Sequence, residues 1–317
     1  MSGRAVEGAE RMREMAWDRS GGLDFGERER RCADVLIDLA LAEDLGEAGD
    51  VTTSALIPAD AEGVGEFVAR SPGVVAGLPV LERLIARHGL LPGWAPRVTD
   101  SAPVGPGDSI ASIAGPVRTL LSLERILLNF LQRLSGIASL TARYASAVDG
   151  TRAKILDTRK TTPGWRALEK YAVRCGGGTN HRFGLFDAIL IKDNHLASIG
   201  ASHADPIAEA IRRSRIAVPD GGFVEIEVDT LDQFDRALAC GPDIILVDNL
   251  GPEALAEAVR RRDARAPSVL LESSGGVTLA TVRPLAETGV DRISIGALTH
   301  SAPALDIGLD LTSRDLG

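Results

Sequence analysis

The hydrophobic positions in the first half of the chain follow two different patterns. Residues 32–42 and 119–147 carry apolar side chains at helical spacing, which predicts two helices. Ser135 and Gly136 mark a place where the second helix could break. Between these helices, residues 65–118 contain short apolar runs separated by glycine and proline, a pattern typical of β-strands. The first half is therefore predicted to mix helices and strands.

From residue 153 onward, short and nearly continuous apolar runs alternate with helical segments. The predicted strands are 153–156, 188–191, 223–228, 243–247, 268–271 and 292–295, and the predicted helices are 166–175, 205–218, 231–239, 252–262 and 278–288. Such alternation indicates a parallel sheet that is buried on both faces. Since no GxGxxG follows a strand, a Rossmann domain is disfavoured. The pattern fits a complete or nearly complete β/α barrel.

Composition narrows the class of protein. The net charge of −9 and the 4% aromatic content argue against nucleic acid as a partner. No apolar run has the roughly 18 residues that a membrane helix needs, so no membrane association is expected. The polar N-terminus does not resemble a secretory signal, and Cys32, Cys175 and Cys240 do not make a disulfide framework. We therefore expect a cytoplasmic protein. Residues 1–30 are predicted to form a flexible extension.

Polar or glycine residues follow every predicted strand of the second half. In a β/α barrel these positions meet at one rim, where active sites gather. The stretch from Arg152 to His195 also holds nine basic against four acidic residues in an acidic chain. Solvated helix charges are the simpler explanation of this cluster, and a pocket for a polyanionic small molecule is the functional one.

The residues at this rim suggest three kinds of interaction. The cations are suited to bind carboxylates: Arg159, Lys160, His181, Arg182 and Lys192. Glu227 and Asp248 could share Mg²⁺ through water, or could form ion pairs with nearby Lys and Arg. The backbone N–H groups of Ser274, Gly275, Gly276, Gly296 and Ala297 are suited to bind phosphate. His300 could close that phosphate site or simply begin the next segment.

Several motifs resemble the quinolinate phosphoribosyltransferase family. They are ERILLNFLQRLSGIAS, DTRKTTPGWRALEKYAVRCGGGTNHR, LIKDNH, EIEV, ILVDN, ESSGGV and ISIGALTHS, within a resemblance that spans about residues 35–311. The resemblance implies a type II phosphoribosyltransferase, with an N-terminal α/β sandwich domain and an incomplete β/α barrel. We place the sandwich at 31–128, with 301–317 packing back on it, and the barrel at 129–300.

The resemblance also implies an activity and roles for residues. The activity is phosphoribosyl transfer from phosphoribosyl pyrophosphate to quinolinate with decarboxylation, a pentosyltransferase reaction of NAD biosynthesis. Quinolinate would contact Arg159, Lys160, His181, Arg182 and Lys192, together with Arg125 from the partner chain of a homodimer or a higher oligomer. Lys160, Lys192, Glu227 and Asp248 would be catalytic, the two acids serving ribose and Mg²⁺. Ser274, Gly275, Gly276, Gly296, Ala297 and His300 would hold the phosphate of the donor.

Two other functions stay open at this point. A relative that ribosylates another pyridine or aromatic acid would keep the phosphate loops and lose part of the cation set. A non-catalytic barrel that binds nucleotides would not need both acids and all the cations. This sequence has the whole set, which favours quinolinate.

Overall fold

The computed structural model describes residues 23–313. Within these residues the chain divides into two compact units. The barrel unit comprises 143–160 and 178–296, and the sandwich unit comprises 23–142, 161–177 and 297–313. The first 22 residues of the predicted extension and the last four of the chain lie outside the described residues. The domain limits given above stay predictions.

The barrel unit is built on one six-stranded parallel sheet in the order β6-β11-β10-β9-β8-β7. Its strands are β6 (Lys154–Leu156), β7 (Ile189–Ile191), β8 (Val224–Val228), β9 (Ile244–Asp248), β10 (Leu270–Ser274) and β11 (Arg292–Ser294). Its helices are α6 (Asp193–Gly200), α7 (Pro206–Ala217), α8 (Leu231–Cys240), α9 (Pro252–Arg265) and α10 (Val282–Glu287). The predicted incomplete β/α barrel is thereby confirmed, with β6 and β7 at the two edges of the sheet.

The sandwich unit contains an antiparallel sheet in the order β12-β1-β5-β3 and a two-stranded sheet, β2-β4. The strands are β1 (Glu62–Ala69), β2 (Gly73–Val74), β3 (Trp94–Pro96), β4 (Pro103–Val104), β5 (Ser109–Pro116) and β12 (Ile307–Ser313). Its helices are α1 (Glu27–Leu45), α2 (Val51–Leu56), α3 (Leu78–Arg87), α5 (Arg166–Cys175) and α11 (Ala297–His300), with a 3₁₀ turn at Leu91–Gly93. β12 pairs with β1, so the end of the described chain belongs to this sheet.

Helix α4 (Val117–Ala147) is continuous, so the expected break near Ser135 and Gly136 is wrong. Ser135 is fully buried, and its Oγ accepts the N–H of Ala76 at 3.0 Å. A Cβ on Gly136 would lie 2.0 Å from the carbonyl oxygen of Pro303. The glycine therefore allows a close backbone approach inside the sandwich unit and does not end the helix.

Side chains in the barrel sheet alternate between two faces. In β8, Val224, Ile226 and Val228 are buried on one face. Glu225 and Glu227 share the opposite face, because alternate residues of a strand point the same way. Among residues 23–313, no helix is both long enough and apolar enough to cross a bilayer.

Candidate active site

The sheet of the barrel unit brings most of the predicted site residues to one edge. Glu227 lies opposite Leu246, and Asp248 lies opposite Ser274, so the ends of β8, β9 and β10 are adjacent. Lys192 follows β7 directly and Gly296 follows β11. Parallel strands end at the same edge of a sheet, and the acids, the phosphate loop and Lys192 therefore share one rim.

Lys192 and Glu227 form an ion pair at this rim. The Lys192 Nζ lies 2.5 Å from the Glu227 Oε2, and the lysine side chain is 47% exposed. Lys192 precedes helix α6, and its backbone N–H donates to the His195 Nδ1 at 2.9 Å. Glu227 therefore forms an ion pair with a nearby lysine, which was the alternative to sharing Mg²⁺ with Asp248.

Asp248 is held by its neighbour Asn249. The Asn249 Nδ2 donates to the Asp248 Oδ2 at 2.5 Å, and the Asn249 N–H donates to the Ser274 carbonyl at 3.0 Å. Asn249 has φ +56°, a left-handed conformation that asparagine adopts more readily than most residues. Asn249 thereby connects the end of β9 to the end of β10. Sequence reasoning gave Asn249 no role.

The predicted phosphate loop has the backbone that its glycines require. Gly275 has φ +95° and Gly276 has φ +58°, and both are exposed. A Cβ on Gly275 would lie 2.1 Å from the Asn249 Oδ1. The following helix begins only at Val282, later than the predicted residue 278, so the exposed N–H groups here belong to the loop and not to a helix terminus.

The predicted cations differ in their surroundings. Lys160 is exposed and Arg159 is half-buried, whereas Arg182 is buried and its guanidinium donates to the Ala188 carbonyl at 3.1 Å. Burial, and next the charge of Arg159, lower the pKa of Arg182. Two guanidinium groups repel each other where water is partly excluded, and a bound anion offsets this repulsion.

His181 lies between two buried carboxylates. Its Nε2 is 3.1 Å from the Glu225 Oε2 and 3.3 Å from the Glu272 Oε1, and both glutamates are fully buried. Burial alone would lower the pKa of His181, but the charges of Glu272 and Glu225 outweigh it and raise this pKa to about 9.

The other side of the His181 ring contacts the next residue. The Arg182 N–H points to the His181 Nδ1 at 2.7 Å, a bond that only an unprotonated Nδ1 accepts. Loss of that bond costs about 1 kcal/mol, less than two buried carboxylates contribute at this distance, so the pKa of His181 is raised despite it. In both protonation states the Nε2 carries the proton that faces the glutamates.

Sequence reasoning missed the buried acids around His181. Asp157 accepts the His181 N–H at 2.8 Å and the Asn180 Nδ2 at 2.6 Å. Glu272 accepts from the Arg292 Nε at 2.6 Å. The period of two in the strands carried a signal, because Glu225 shares a face with Glu227 and Glu272 shares one with Ser274.

Three predicted residues belong to the sandwich unit: Arg125, Ala297 and His300. Arg125 is exposed on helix α4, and its guanidinium lies 3.8 Å from the carboxylate of Glu124. Ala297 begins α11, and His300 ends it with its Nδ1 2.7 Å from the Ser301 Oγ. Their roles in binding stay predictions.

Comparison with known proteins identifies the family of the chain. The model of the quinolinate phosphoribosyl transferase C-terminal domain matches residues 137–310, and that of the N-terminal domain matches residues 50–135. The nicotinate-nucleotide pyrophosphorylase [carboxylating] of Mycobacterium leprae is 48% identical over 86% of this chain and 94% of its own length. A probable enzyme of the same name from Bacillus subtilis is 41% identical over 85% of this chain and 90% of its own length.

Solved structures agree with this assignment. The crystal structure of nicotinate-nucleotide pyrophosphorylase from Ehrlichia chaffeensis has a TM-score of 0.80 and 37% identity, covering 88% of this chain and 98% of that chain. The structure of the nicotinate-nucleotide pyrophosphorylase from Francisella tularensis has a TM-score of 0.80 and 36% identity, covering 89% of this chain and 96% of that chain. The chain belongs to the quinolinate phosphoribosyl transferase family.

Proposed function

We propose that this chain transfers the phosphoribosyl group of phosphoribosyl pyrophosphate to quinolinate, with release of pyrophosphate and CO₂, to give nicotinate mononucleotide for NAD biosynthesis. Membership of the family carries the reaction type. The observation that carries the substrate is the juxtaposition, in one barrel unit, of several cations with two strand-end acids. Two strongly anionic substrates need such a basic site in a chain of net charge −9.

The cations hold the two carboxylates of quinolinate. Burial, and next the charge of Arg159, lower the pKa of Arg182, and a dianion beside the two guanidinium groups offsets both effects. Lys160 and Lys192 are exposed and can approach the ring from the rim. Fixing both carboxylates aligns the ring nitrogen with the ribose and removes much of the entropic barrier to their reaction.

The nitrogen then forms a bond to the anomeric carbon while the bond to pyrophosphate breaks. The leaving group takes the electron pair, and the sugar develops positive charge that Glu227 and Asp248 stabilise. The product ring is a pyridinium, which accepts the electron pair released when the 2-carboxylate leaves as CO₂. A proton then replaces that carboxylate on carbon 2. No covalent intermediate with the enzyme is required.

The phosphate of the donor is assigned to the loop after β10. Gly275 and Gly276 both have positive φ angles and are exposed, and successive N–H groups of a turn are able to bind an anion. We assign Gly296 and Ala297 to the same phosphate, together with His300.

Glu227 and Asp248 fit Mg²⁺ by their chemistry. Mg²⁺ takes oxygen ligands and keeps several waters, so one or two carboxylates plus substrate phosphates suffice. Both acids are only partly buried, and each has one oxygen engaged, Asp248 with Asn249 and Glu227 with Lys192, so the other oxygen of each would be the ligand. When bound, the ion would neutralise charge on the leaving pyrophosphate.

The assembly and the location are part of the same proposal. Arg125 is 62% exposed and its ion-pair partner is the adjacent Glu124 at 3.8 Å, so its guanidinium can reach an acidic ligand. We assign it to the quinolinate site of a partner chain in a homodimer. Three free cysteines suit the reducing cytoplasm.

An isotope assay tests the reaction. Protein, phosphoribosyl pyrophosphate and Mg²⁺ are mixed with quinolinate labelled in the 2-carboxyl group, and in parallel with nicotinate. We expect nucleotide and labelled CO₂ to form in equal amounts from quinolinate, with little product from nicotinate. Product from nicotinate at a comparable rate, or nucleotide without CO₂, would contradict the proposal.

A further inference from the structure

We propose that Glu225 and Glu272 are positioning residues for the quinolinate site, which fix His181 and, through it, Arg182. This inference rests on the proposed function, since it assigns Arg182 to quinolinate. Neither glutamate contacts the rim directly. Each lies beneath the rim, two residues before a rim residue on the same face of its strand. Glu225 precedes Glu227 in β8, and Glu272 precedes Ser274 in β10.

Stability alone does not explain Glu225. Glu225 is fully buried, and no cation other than His181 is recorded as its ion-pair partner among residues 23–313. A buried carboxylate costs several kcal/mol, and an apolar side chain of similar volume is often as stabilising or more so. The contact that Glu225 does make is with the His181 Nε2 at 3.1 Å. Its charge is therefore best explained by what it does to that ring.

Glu272 holds the same ring atom from a second strand. Its Oε1 lies 3.3 Å from the His181 Nε2, while its Oε2 accepts from the Arg292 Nε at 2.6 Å. Arg292 is itself buried and lies opposite Glu272 in the sheet. The pair with Arg292 keeps the carboxylate from turning, so the second contact to His181 has a fixed direction.

The ring in turn restrains the chain at Arg182. Asp157 accepts the His181 N–H at 2.8 Å, so the backbone of His181 is held as well as its ring. Arg182 is also tied through its guanidinium to the Ala188 carbonyl. Because Arg182 is the next residue in the chain, a displacement of His181 would shift the Arg182 backbone and turn its guanidinium out of alignment. A displacement of about 1 Å at such a residue is enough to impair substrate alignment.

A bound cation is a different explanation of the cluster. The ligand atoms of His181, Glu225 and Glu272 lie within 4.8 Å of one another, a spacing that a divalent ion would accept. However, Glu272 already pairs with the guanidinium of Arg292, whose charge opposes a second cation beside it. The proton on the His181 Nε2 offsets the charge of the two glutamates without placing a divalent ion beside Arg292.

The experiment compares Glu225→Gln with Glu253→Gln in the full-length enzyme. Gln keeps the shape of the side chain and removes the charge, and Glu253 is an exposed residue in the first turn of α9. For Glu225→Gln we expect KM for quinolinate to rise about tenfold or more, with KM for phosphoribosyl pyrophosphate changed by less than about twofold. Glu253→Gln should match the wild type in both constants.

A double-mutant cycle tests whether Glu225 acts through His181. Against a His181→Gln background, the effect of Glu225→Gln on KM for quinolinate should largely disappear. Independent effects that multiply in the double variant would overturn the proposal. So would an unchanged KM for quinolinate, or equal rises in KM for both substrates, which a purely structural role predicts.

Two further measurements keep the outcome decisive. If Glu225→Gln does not fold, Glu225→Asp keeps the charge and shortens its reach, and it should show the same selective rise in KM for quinolinate to a smaller extent. The wild-type enzyme is assayed first with quinolinate. Failure of the wild type to turn over quinolinate rejects the proposed function, whereas wild-type turnover with unaffected variants rejects only the positioning role.

Discussion

Replacing Gly275 with alanine should distort the phosphate loop, because this residue has a positive φ and no space for a Cβ. Gly275 has φ +95°, and a Cβ there would lie 2.1 Å from the Asn249 Oδ1 and 3.0 Å from the Asp248 Oδ1. Asn249 would have to move, and its bond to Asp248 at 2.5 Å would be lost. The unfavourable φ costs about 1–2 kcal/mol, and loss of a hydrogen bond to a charged group costs about 1.5–3 kcal/mol. The total is therefore about 2.5–5 kcal/mol.

Gly241→Ala is the matched control for backbone strain. Gly241 has φ +63° after helix α8, but no described atom lies within 4 Å of the added Cβ, so only the strain of about 1–2 kcal/mol is expected. Urea denaturation gives the free energy of unfolding, and steady-state kinetics give KM for phosphoribosyl pyrophosphate. We expect Gly275→Ala to be less stable than Gly241→Ala by about 1.5–3 kcal/mol, and to raise this KM by about tenfold or more. Equal stability of the two variants together with a wild-type KM would refute this account of the loop.

Three further results are expected. Arg182→Ala should weaken quinolinate binding measured by calorimetry by about 2–5 kcal/mol, whereas Arg283→Ala, at an exposed ion pair with Glu287, should bind as the wild type does; equal affinities would contradict the role of Arg182. The stability that His181 contributes should be fully present below its ordinary pKa of about 6.5 and lost as pH rises through about 9, because folding raises this pKa. Urea denaturation should therefore show a larger deficit for His181→Gln at pH 6 than at pH 9.5, by on the order of 2–3 kcal/mol, and a constant deficit would refute the charged ring. Gly136→Ala should lower the free energy of unfolding by more than about 2 kcal/mol, since its Cβ would lie 2.0 Å from the Pro303 carbonyl, and an unchanged midpoint would contradict the close approach.

The alternation of strands and helices was predictable because each period is local. The apolar run at 243–247 became β9 (Ile244–Asp248), and the helical pattern at 231–239 became α8 (Leu231–Cys240). Residues that directly follow strands were predictable for the same reason, and Lys192 and Asp248 lie at the rim as expected. Short helices such as α6 (Asp193–Gly200) were missed, because eight residues carry too little periodicity to separate them from a loop.

The side-chain contacts beneath the rim could not be predicted from the sequence, because they depend on the register of the sheet. Glu272 meets Arg292 because β10 and β11 pair at those residues, and this pairing is not local in sequence. The same holds for Gly136, whose neighbour Pro303 is far along the chain. His181 was identified as a cation at the site, but its two glutamate contacts come from separate strands that only the folded sheet places together.

Calorimetric titration of quinolinate into the protein tests the central claim most directly, namely that the cations at the barrel rim bind a pyridine with two adjacent carboxylates. The titration is made with pyrophosphate and Mg²⁺ present, and is repeated with nicotinate and with the Arg159→Ala, Arg182→Ala double variant. We predict saturable binding of quinolinate that is much weaker for nicotinate and absent in the double variant. Absence of binding to the wild type, or equal binding of quinolinate by the double variant, would contradict the account.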